Sequence, residues 1–253
     1  MCSRIDVLKI CRCLLGVFII SGSWSLQKLH AEDLHIAIGR SLPPYVIQKS
    51  NSGMELDIVR ESLKHKGYSL KPRYVALKQV PIVYNKKWVD GAMTITEDFG
   101  INAYFSDVVM TYQNFAITLA KNNLQINLIE DLQGKSIVAF QNAKIYLGEA
   151  FSKAVQSNPS YSEVANQLYQ VNRLYSGRAD VVISDKNIFL YYKIQAQVPD
   201  TKQKIVFHSV FPPNPYKVAF REQKIRNDFN VGLKQLRESG RYQKIIQHYI
   251  QDQ

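Results

Sequence analysis

Two kinds of hydrophobic pattern alternate along the chain from about residue 34 onward. Short segments rich in apolar and β-branched residues are typical of strands, and they occur at 34–38, 68–77, 88–96, 115–120, 136–140, 181–184, 204–209 and 216–220. Amphipathic segments with a helical period predict helices, at 53–67, 144–157, 166–180, 186–196 and 225–250. This alternation predicts an α/β fold with mainly parallel sheets.

The helical segments carry their own face and boundary signals. Leu56, Val59 and Leu63 fall on one face of the first helix. Gly177 is placed to end the helix that begins near 166, and Gly240 to separate two helices at the end of the chain. The segment 144–157 is predicted as one helix whose inward residues are Tyr146, Leu147, Ala150, Phe151 and Ala154.

Residues 1–31 have the pattern of an export signal. The first 12 positions include Arg4, Lys9 and Arg12, residues 13–27 carry no charge, and Ala31 offers a small residue for cleavage. The uncharged run is shorter than the roughly 20 apolar residues of a membrane-spanning helix. We therefore expect a signal peptide cut after Ala31; an uncleaved membrane anchor is the alternative.

Cysteine usage and charge exclude several functions. Cys2, Cys11 and Cys13 all lie in the leader, so disulfides, thiol catalysis and cysteine metal sites are excluded from the mature chain. The net charge is +11, of which the leader contributes +3, so the mature chain carries about +8. Its basic residues are scattered, which favours a solvated surface over a nucleic-acid or membrane site. We expect no nucleic-acid partner, no metal and no cofactor.

Several stretches, in order along the chain, carry a resemblance to a known family. They are GMELDIVRESL, TIT placed nine residues before FSD, EDLQGKSIVAF, LYSGRADVVISD and LKQLRESGRYQKIIQHYI. Together they resemble the family 3 periplasmic solute-binding proteins of ABC transporters, which bind polar amino acids. The resemblance extends through nearly all of residues 33–250.

The resemblance implies a two-lobed periplasmic binding protein fold (type II) with a ligand cleft between the lobes. Lobe one is then expected over 32–111 with 219–253, and lobe two over 116–213. The crossover segments fall at 112–115 and 214–218. Ligand residues should lie at strand ends that face the cleft, as in open α/β sheets generally.

The resemblance places the ligand's α-amino group on Asp185. Asp185 follows an apolar strand, where a carboxylate is costly unless it is paired, although a cap for the helix 186–196 is the alternative role. Thr94 and Thr96 would offer hydroxyl and backbone groups to the ligand, and Ala92 its carbonyl. Their alternative is a strand edge without a ligand.

The sequence departs from the family where the ligand's α-carboxylate is held. The family motif Thr-x-x-Arg reads Thr96 to Phe99 here, so a phenyl ring replaces the clamping arginine. Asn142 and Ala143 stand where the family has a hydroxyl at a helix start, although backbone N–H groups there can still bind an anion. We therefore expect weak binding of ordinary amino acids.

Other side chains could compensate for the missing arginine. Arg40, in the loop after the first strand, is the first candidate base, and Lys144 is the second; simple solvation at the surface is the alternative for both. Tyr45, Phe99, Tyr112 and Phe140 are candidate aromatic residues for stacking on a cationic or ring-bearing ligand. For Phe140, within a strand, core packing is the competing interpretation.

These observations favour a monomeric periplasmic receptor for a small polar solute, amino-acid-like or an amine. Lobe closure would signal to an ABC permease or a membrane sensor. The alternative is a dehydratase-like enzyme on the same fold, resting on Glu97, Asp98 or Asp185 with a base. No nucleophile–base pairing is readable in the sequence, so we expect the chain not to be an enzyme.

Overall fold

The computed structural model describes residues 31–250, which form two mixed sheets covered by helices. The strands are β1 (Glu32–Gly39), β2 (Tyr68–Val75), β3 (Gly91–Ile95), β4 (Tyr104–Phe105), β5 (Met110–Tyr112), β6 (Asn114–Leu119), β7 (Ile137–Phe140), β8 (Tyr161–Val164), β9 (Val181–Asp185), β10 (Ile205–His208) and β11 (Asn214–Phe220). The α-helices are α1 (Met54–Lys64), α2 (Val80–Asn85), α3 (Ala143–Tyr146), α4 (Gly148–Val155), α5 (Gln167–Tyr175), α6 (Lys186–Gln195), α7 (Gln223–Glu238) and α8 (Arg241–Tyr249). Residues 1–30 of the predicted signal peptide lie outside the described residues.

The two sheets define two lobes. The first sheet has the order β2-β1-β3-β11-β4, with β5 paired to β11. We call this sheet, together with α1, α2, α7 and α8, lobe one. The second sheet has the order β10-β6-β9-β7-β8. We call this sheet, together with α3, α4, α5 and α6, lobe two. The chain passes between the sheets at Gln113 and again over residues 209–213.

The prediction of mainly parallel sheets is wrong. Strands β1, β2 and β3 run parallel, as do β7, β8 and β9, but β6, β10 and β11 pair antiparallel with their neighbours. Parallel neighbours need a crossover connection, usually a helix. Strands β6 and β11 instead enter their sheets directly from the other lobe, so no such crossover fixes their direction.

The core of lobe one confirms the predicted face of α1. Leu56, Val59 and Leu63 are fully buried. They pack in one apolar cluster with residues of α7. A Cβ added at Gly232 of α7 would lie 2.1 Å from the carbonyl oxygen of Ser62, so glycine is required for this close approach of the two helices.

The helix predicted over 144–157 is instead two short helices, α3 and α4. The break falls at Leu147, and α4 begins at Gly148, whose φ of +85° is a left-handed conformation that cannot continue α3. The predicted inward face is also wrong in part. Phe151 is fully buried, but Tyr146 and Ala150 are exposed. The break rotates α3 relative to α4, so one helical period does not apply across both.

Candidate functional site

Asp185 ends β9 at the junction of the two lobes and is only 4% exposed. Its Oδ1 accepts hydrogen bonds from the backbone N–H groups of Asn187 at 2.9 Å and Ile188 at 3.0 Å, so it caps α6. Its Oδ2 accepts from the N–H of Gln113 at 3.0 Å, at the first passage between the sheets. Burial raises the pKa of Asp185, and these hydrogen bonds offset part of the rise.

Tyr45 reaches Asp185 from the opposite lobe. Its hydroxyl donates to Asp185 Oδ1 at 2.8 Å and accepts from the side-chain amide of Asn187 at 3.0 Å. The Tyr45 ring is fully buried and stacks on Tyr112 with ring centroids 3.6 Å apart. A protein hydroxyl therefore occupies the position on Asp185 where the family resemblance places the ligand's amino group.

Glu55 is a second buried acid close to this junction, and sequence reasoning missed it. It is fully buried in the first turn of α1, where its Oε2 accepts from the hydroxyls of Tyr112 and Thr94, the latter at 3.0 Å. Its Oε1 has no partner among the described residues. Burial raises the pKa of Glu55 to about 7, against hydrogen bonds from Tyr112 and Thr94 that lower it.

Thr94 faces Glu55 because of a β-bulge in β3. Lys217 pairs with Ile95 and Ala219 with Ala92, so one residue of β11 opposes two residues of β3. Thr94 lies in this bulge at φ +58°, a conformation unusual for a β-branched residue. Such strain costs about 1–3 kcal/mol and concentrates at functional sites. The bulge turns the Thr94 hydroxyl toward Glu55.

The start of α3 already holds a carboxylate of the protein. Glu163 of β8 accepts from the backbone N–H of Asn142 at 2.7 Å and of Lys144 at 3.2 Å. The Tyr161 hydroxyl donates to the same acid at 2.7 Å. Burial by itself would raise the pKa of Glu163, but these hydrogen bonds outweigh burial and lower this pKa. A ligand carboxylate would have to displace Glu163 to use these amides, while Ala143 is fully buried.

The segment that replaces the arginine motif is a short turn at the surface. Residues Glu97–Phe99 form one turn of 3-10 helix, and the Thr96 hydroxyl bonds the Asp98 carboxylate. Glu97 pairs with Lys217 at 2.5 Å. Phe99 is 36% exposed. Each of these polar groups therefore engages a neighbour in its own lobe.

The remaining predicted residues lie apart from Asp185. Ala92 is fully buried within an apolar cluster of lobe one. Arg40 is exposed, and within residues 31–250 its guanidinium makes no hydrogen bond or ion pair. Lys144 is exposed, with its Nζ 5.4 Å from the Tyr161 ring centroid. Of the predicted residues, the structure brings together Asp185, Tyr45 and Tyr112. Thr94 is joined to them through Glu55.

Tyr216 is a further residue that sequence reasoning missed. Its ring lies edge-on to Tyr112 at 4.6 Å. Burial raises the pKa of Tyr216, and the charges of Glu55, Asp98 and Asp185 add to the rise. The junction thus combines tyrosine rings with two buried acids. No lysine, arginine or histidine of the described chain forms an ion pair with Glu55 or Asp185.

The described part of the chain contains neither a metal-binding cluster nor a membrane-spanning helix. Among residues 31–250, no group of three or more His, Cys, Asp or Glu side chains is arranged to hold a metal ion. No helix in that range is long and apolar enough to span a bilayer.

The fold and the junction define a two-lobed α/β binding protein. Residues 34–252 match the family of bacterial extracellular solute-binding proteins, family 3. The match covers most of the chain, so the chain belongs to this family. The family resemblance and the fold class predicted from the sequence are confirmed.

Known relatives are similar at low identity. The ABC transporter glutamine-binding protein GlnH of Bacillus subtilis (strain 168) is 24% identical over 212 residues, which cover 79% of this chain and 73% of GlnH. A solved structure of an ancestral cationic amino acid solute-binding protein is 21% identical with a TM-score of 0.67, covering 88% of this chain and 97% of that one.

A structure of an ancestral amino acid-binding protein, described as a precursor of cyclohexadienyl dehydratase, is 22% identical. Its TM-score is 0.57, and the match covers 87% of this chain and 95% of that one. At these identities the solved structures show a shared fold alone.

Proposed function

We propose that this protein holds a small polar solute between its lobes and closes on it. The observation that carries the proposal is Asp185, a carboxylate that is 4% exposed at the end of β9 and bonded across the junction to Tyr45. A buried acid without a basic partner favours a cationic group. The solute's positive group would take the place of the Tyr45 hydroxyl.

The proposed solute is an amine that lacks an α-carboxylate. Phe99 stands where the family's clamping arginine would be, and a phenyl ring cannot donate a hydrogen bond. The amides at the start of α3 are engaged by Glu163. Since the two usual carboxylate contacts are replaced, ordinary amino acids should bind more weakly than about 100 μM, or about −5.5 kcal/mol. Arg40 and Lys144 are the bases that could still meet an acidic solute.

The tyrosine rings of the junction support the same class of solute. Tyr45 and Tyr112 stack on each other, and Tyr216 meets the second ring edge-on. Aromatic faces attract ammonium groups, by about 0.5–2 kcal/mol. Opening of the lobes would separate Tyr45 from Asp185 and expose both the acid and these rings. Thr94, Thr96 and Ala92 remain proposed contacts of the strand end, and Asn142 and Ala143 of the opposite helix start.

Export and delivery complete the proposal. A signal peptide cut after Ala31 would release the mature protein into the periplasm, and N-terminal sequencing of the exported form tests this. The proposed lobes comprise 32–111 with 219–253 and 116–213, hinged at 112–115 and 214–218. The GlnH relative belongs to an ABC transporter, which supports delivery to a permease; a membrane sensor is the other proposed receiver. The protein would act as a monomer.

A dehydratase-like enzyme is the second candidate. The ancestral neighbour described as a dehydratase precursor favours it, as does Glu55, because burial raises its pKa to about 7, a suitable value for a general acid or base. Glu97 and Asp98 are exposed and already engaged within their own turn. Turnover of a prephenate-like substrate would establish the enzyme; we expect none.

A thermal-shift screen tests the proposal. The panel contains the twenty amino acids and the amines that their decarboxylation gives, such as cadaverine, agmatine and tyramine, and calorimetry follows each hit. Amines should shift the melting temperature more than their parent amino acids. Mass spectrometry of solute carried through native purification identifies the natural ligand. Micromolar binding of an ordinary amino acid that survives Arg40→Ala would refute the proposed class.

A further inference from the structure

A groove of about 580 Å³ lies on lobe two, between α6 and β10. We call it the lysine groove, because Lys186, Lys193, Lys202 and Lys204 line it. No aspartate or glutamate is among the residues that line it. Within the described part of the chain, Lys186, Lys202 and Lys204 form no ion pair. The groove therefore presents a concentrated positive charge, in contrast to the mixed charges elsewhere on the surface.

The lysine groove also has apolar walls. Ile205 and Phe207 of β10 line one side, and Leu190 and Ile194 of α6 line the other. Ile194 is 54% exposed. The Nζ of Lys186 lies 5.6 Å from the Phe207 ring centroid. A matching occupant needs negative charges for the lysines and apolar groups for these walls.

The strand beside the groove has an open edge. β10 is the outermost strand of its sheet and pairs with β6 alone among the described strands. The N–H of Ala120 donates to the carbonyl of Lys204 at 2.8 Å, so this residue pair carries ladder bonds. Hydrogen-bonded pairs alternate in an antiparallel ladder. The backbone groups of Ile205 and Phe207 therefore point away from β6, toward the side where another strand could pair.

We propose that an extended acidic segment of a partner protein docks at the lysine groove by adding a strand to β10. Strand addition supplies main-chain hydrogen bonds to Ile205 and Phe207, and alternate side chains of the segment enter the groove. Apolar side chains would meet the walls, while glutamate or aspartate would meet the lysines. This surface is separate from the solute site, so the proposal does not depend on the identity of the solute.

Lysines near an open edge also serve to prevent edge-to-edge aggregation. That role places charged side chains along the strand itself. Here only Lys204 adjoins β10, while Lys186 and Lys193 come from α6 and Lys202 from the preceding loop. Charges that converge on a groove from a helix and from the loop before β10 fit recognition of an acidic partner better than protection of an edge.

Fluorescence anisotropy tests the proposal with the full chain and a labelled decapeptide that alternates glutamate and valine. A second peptide carries proline at two central valine positions, which keeps its charge but removes strand pairing. The double variant Lys202→Glu/Lys204→Glu reverses charge in the groove. Lys49→Glu/Lys78→Glu makes the same charge change at exposed positions of lobe one and is the matched control.

We expect the alternating peptide to bind, and to bind at least tenfold more weakly to the groove variant. The control variant should change binding less than twofold, and the proline peptide should bind at least tenfold more weakly than its parent. Equal binding of the two peptides would overturn strand addition. Binding that is insensitive to the groove variant, or no binding of the peptide at all, would overturn the site. Groove-dependent binding of anionic phospholipid vesicles in place of the peptide would also overturn it.

Discussion

The two ends of the proposed solute site are each occupied by a group of the protein itself, but the occupants come from different places. At the amine end, the Tyr45 hydroxyl of lobe one bonds Asp185 of lobe two at 2.8 Å. At the carboxylate end, Glu163 of β8 bonds the amides at the start of α3, and both belong to lobe two. Lobe opening would therefore free the amine end and leave the carboxylate end filled.

In the proposed site, this difference would favour a ligand amine over a ligand carboxylate. A ligand N–H can replace the Tyr45 hydroxyl once the lobes part, because Asp185 then regains a free lone pair. A ligand carboxylate meets Glu163 in either state, and like charges repel. Under the proposal, the protein groups that occupy the two ends would decide which chemical group of a ligand is admitted.

The largest expected effect is a change in the free energy of unfolding with pH, and it concerns Glu55. The hydrogen-bond partners of Glu55 all lie in its own lobe, as do those of Glu163. The folded pKa of Glu55, at about 7, lies above the ordinary glutamate value of 4.5. Its stabilising contribution is therefore fully present below pH 4.5 and is lost as pH rises through 7, by up to about 3 kcal/mol. Urea unfolding of the Glu55→Gln variant should therefore not show this loss of stability between pH 4.5 and 7.5.

The comparison of wild type with Glu55→Gln is needed because Asp185 also has a raised pKa and His208 a lowered one. Their contributions cancel in the difference between the two proteins. Glu238→Gln, on the exposed side of α7, is the control. A pH dependence that is identical in wild type and Glu55→Gln would contradict the burial of an unpaired acid at this position.

The next effect tests the amine end. Asp185→Asn should weaken amine binding by about 1.5–3 kcal/mol, or about 13- to 160-fold, the range for hydrogen bonds to charged groups. Asparagine caps helices about as well as aspartate, so the stability of α6 should hold. Calorimetry decides, with Asp107→Asn as the exposed control. Unchanged affinity with an unchanged melting temperature would leave Asp185 as a helix cap alone.

A smaller effect of opposite sign is expected at Tyr45. Tyr45→Phe removes the hydroxyl with which a ligand competes, so amine binding should tighten by about 0.5–1.5 kcal/mol, or about 2- to 12-fold. Tyr242→Phe removes a hydroxyl that bonds Val109 within lobe one at 2.9 Å and should leave affinity unchanged. Weaker amine binding by Tyr45→Phe would show that the hydroxyl contacts the ligand and does not compete with it.

The smallest effect tests the carboxylate end. Glu163→Ala removes the internal anion at the start of α3 and should improve lysine binding by about 0.3–1 kcal/mol, or about 2- to 5-fold. Cadaverine binding should not change, because it presents no carboxylate. Glu149→Ala, an exposed change on α4, is the control. Equal gains for both solutes would point to altered lobe closure and would break the proposed division between the two ends.

The sequence predicted the elements whose burial is local, and it missed those that depend on distant partners. Apolar runs marked β7 and β9, and helical periodicity marked α1 and α6. β8 was missed because its sequence YSEV has no apolar alternation. Its place comes from parallel pairing with β7, which sets Glu163 beside Ala139. Glu163 could not be identified before that register was known.

The same reason explains what was missed at the lobe junction. Glu55 follows Met54 in an amphipathic helix and gives no local sign of burial; its contact with Thr94 depends on the bulge in β3. Asp185 and Tyr45 were each named as candidates by the family resemblance and by position. Their hydrogen bond joins residues 140 positions apart, and no periodic pattern reports contacts at that separation.

One matched pair of solutes tests the central claim most directly. Lysine and cadaverine differ only in the α-carboxylate, so calorimetry of both against the mature protein isolates that group. We expect cadaverine to bind at least tenfold more tightly than lysine, a difference of about 1.4 kcal/mol, and lysine to remain weaker than about 100 μM. Lysine binding that is equal to or tighter than cadaverine binding would contradict the claim that opening frees only the amine end of the site.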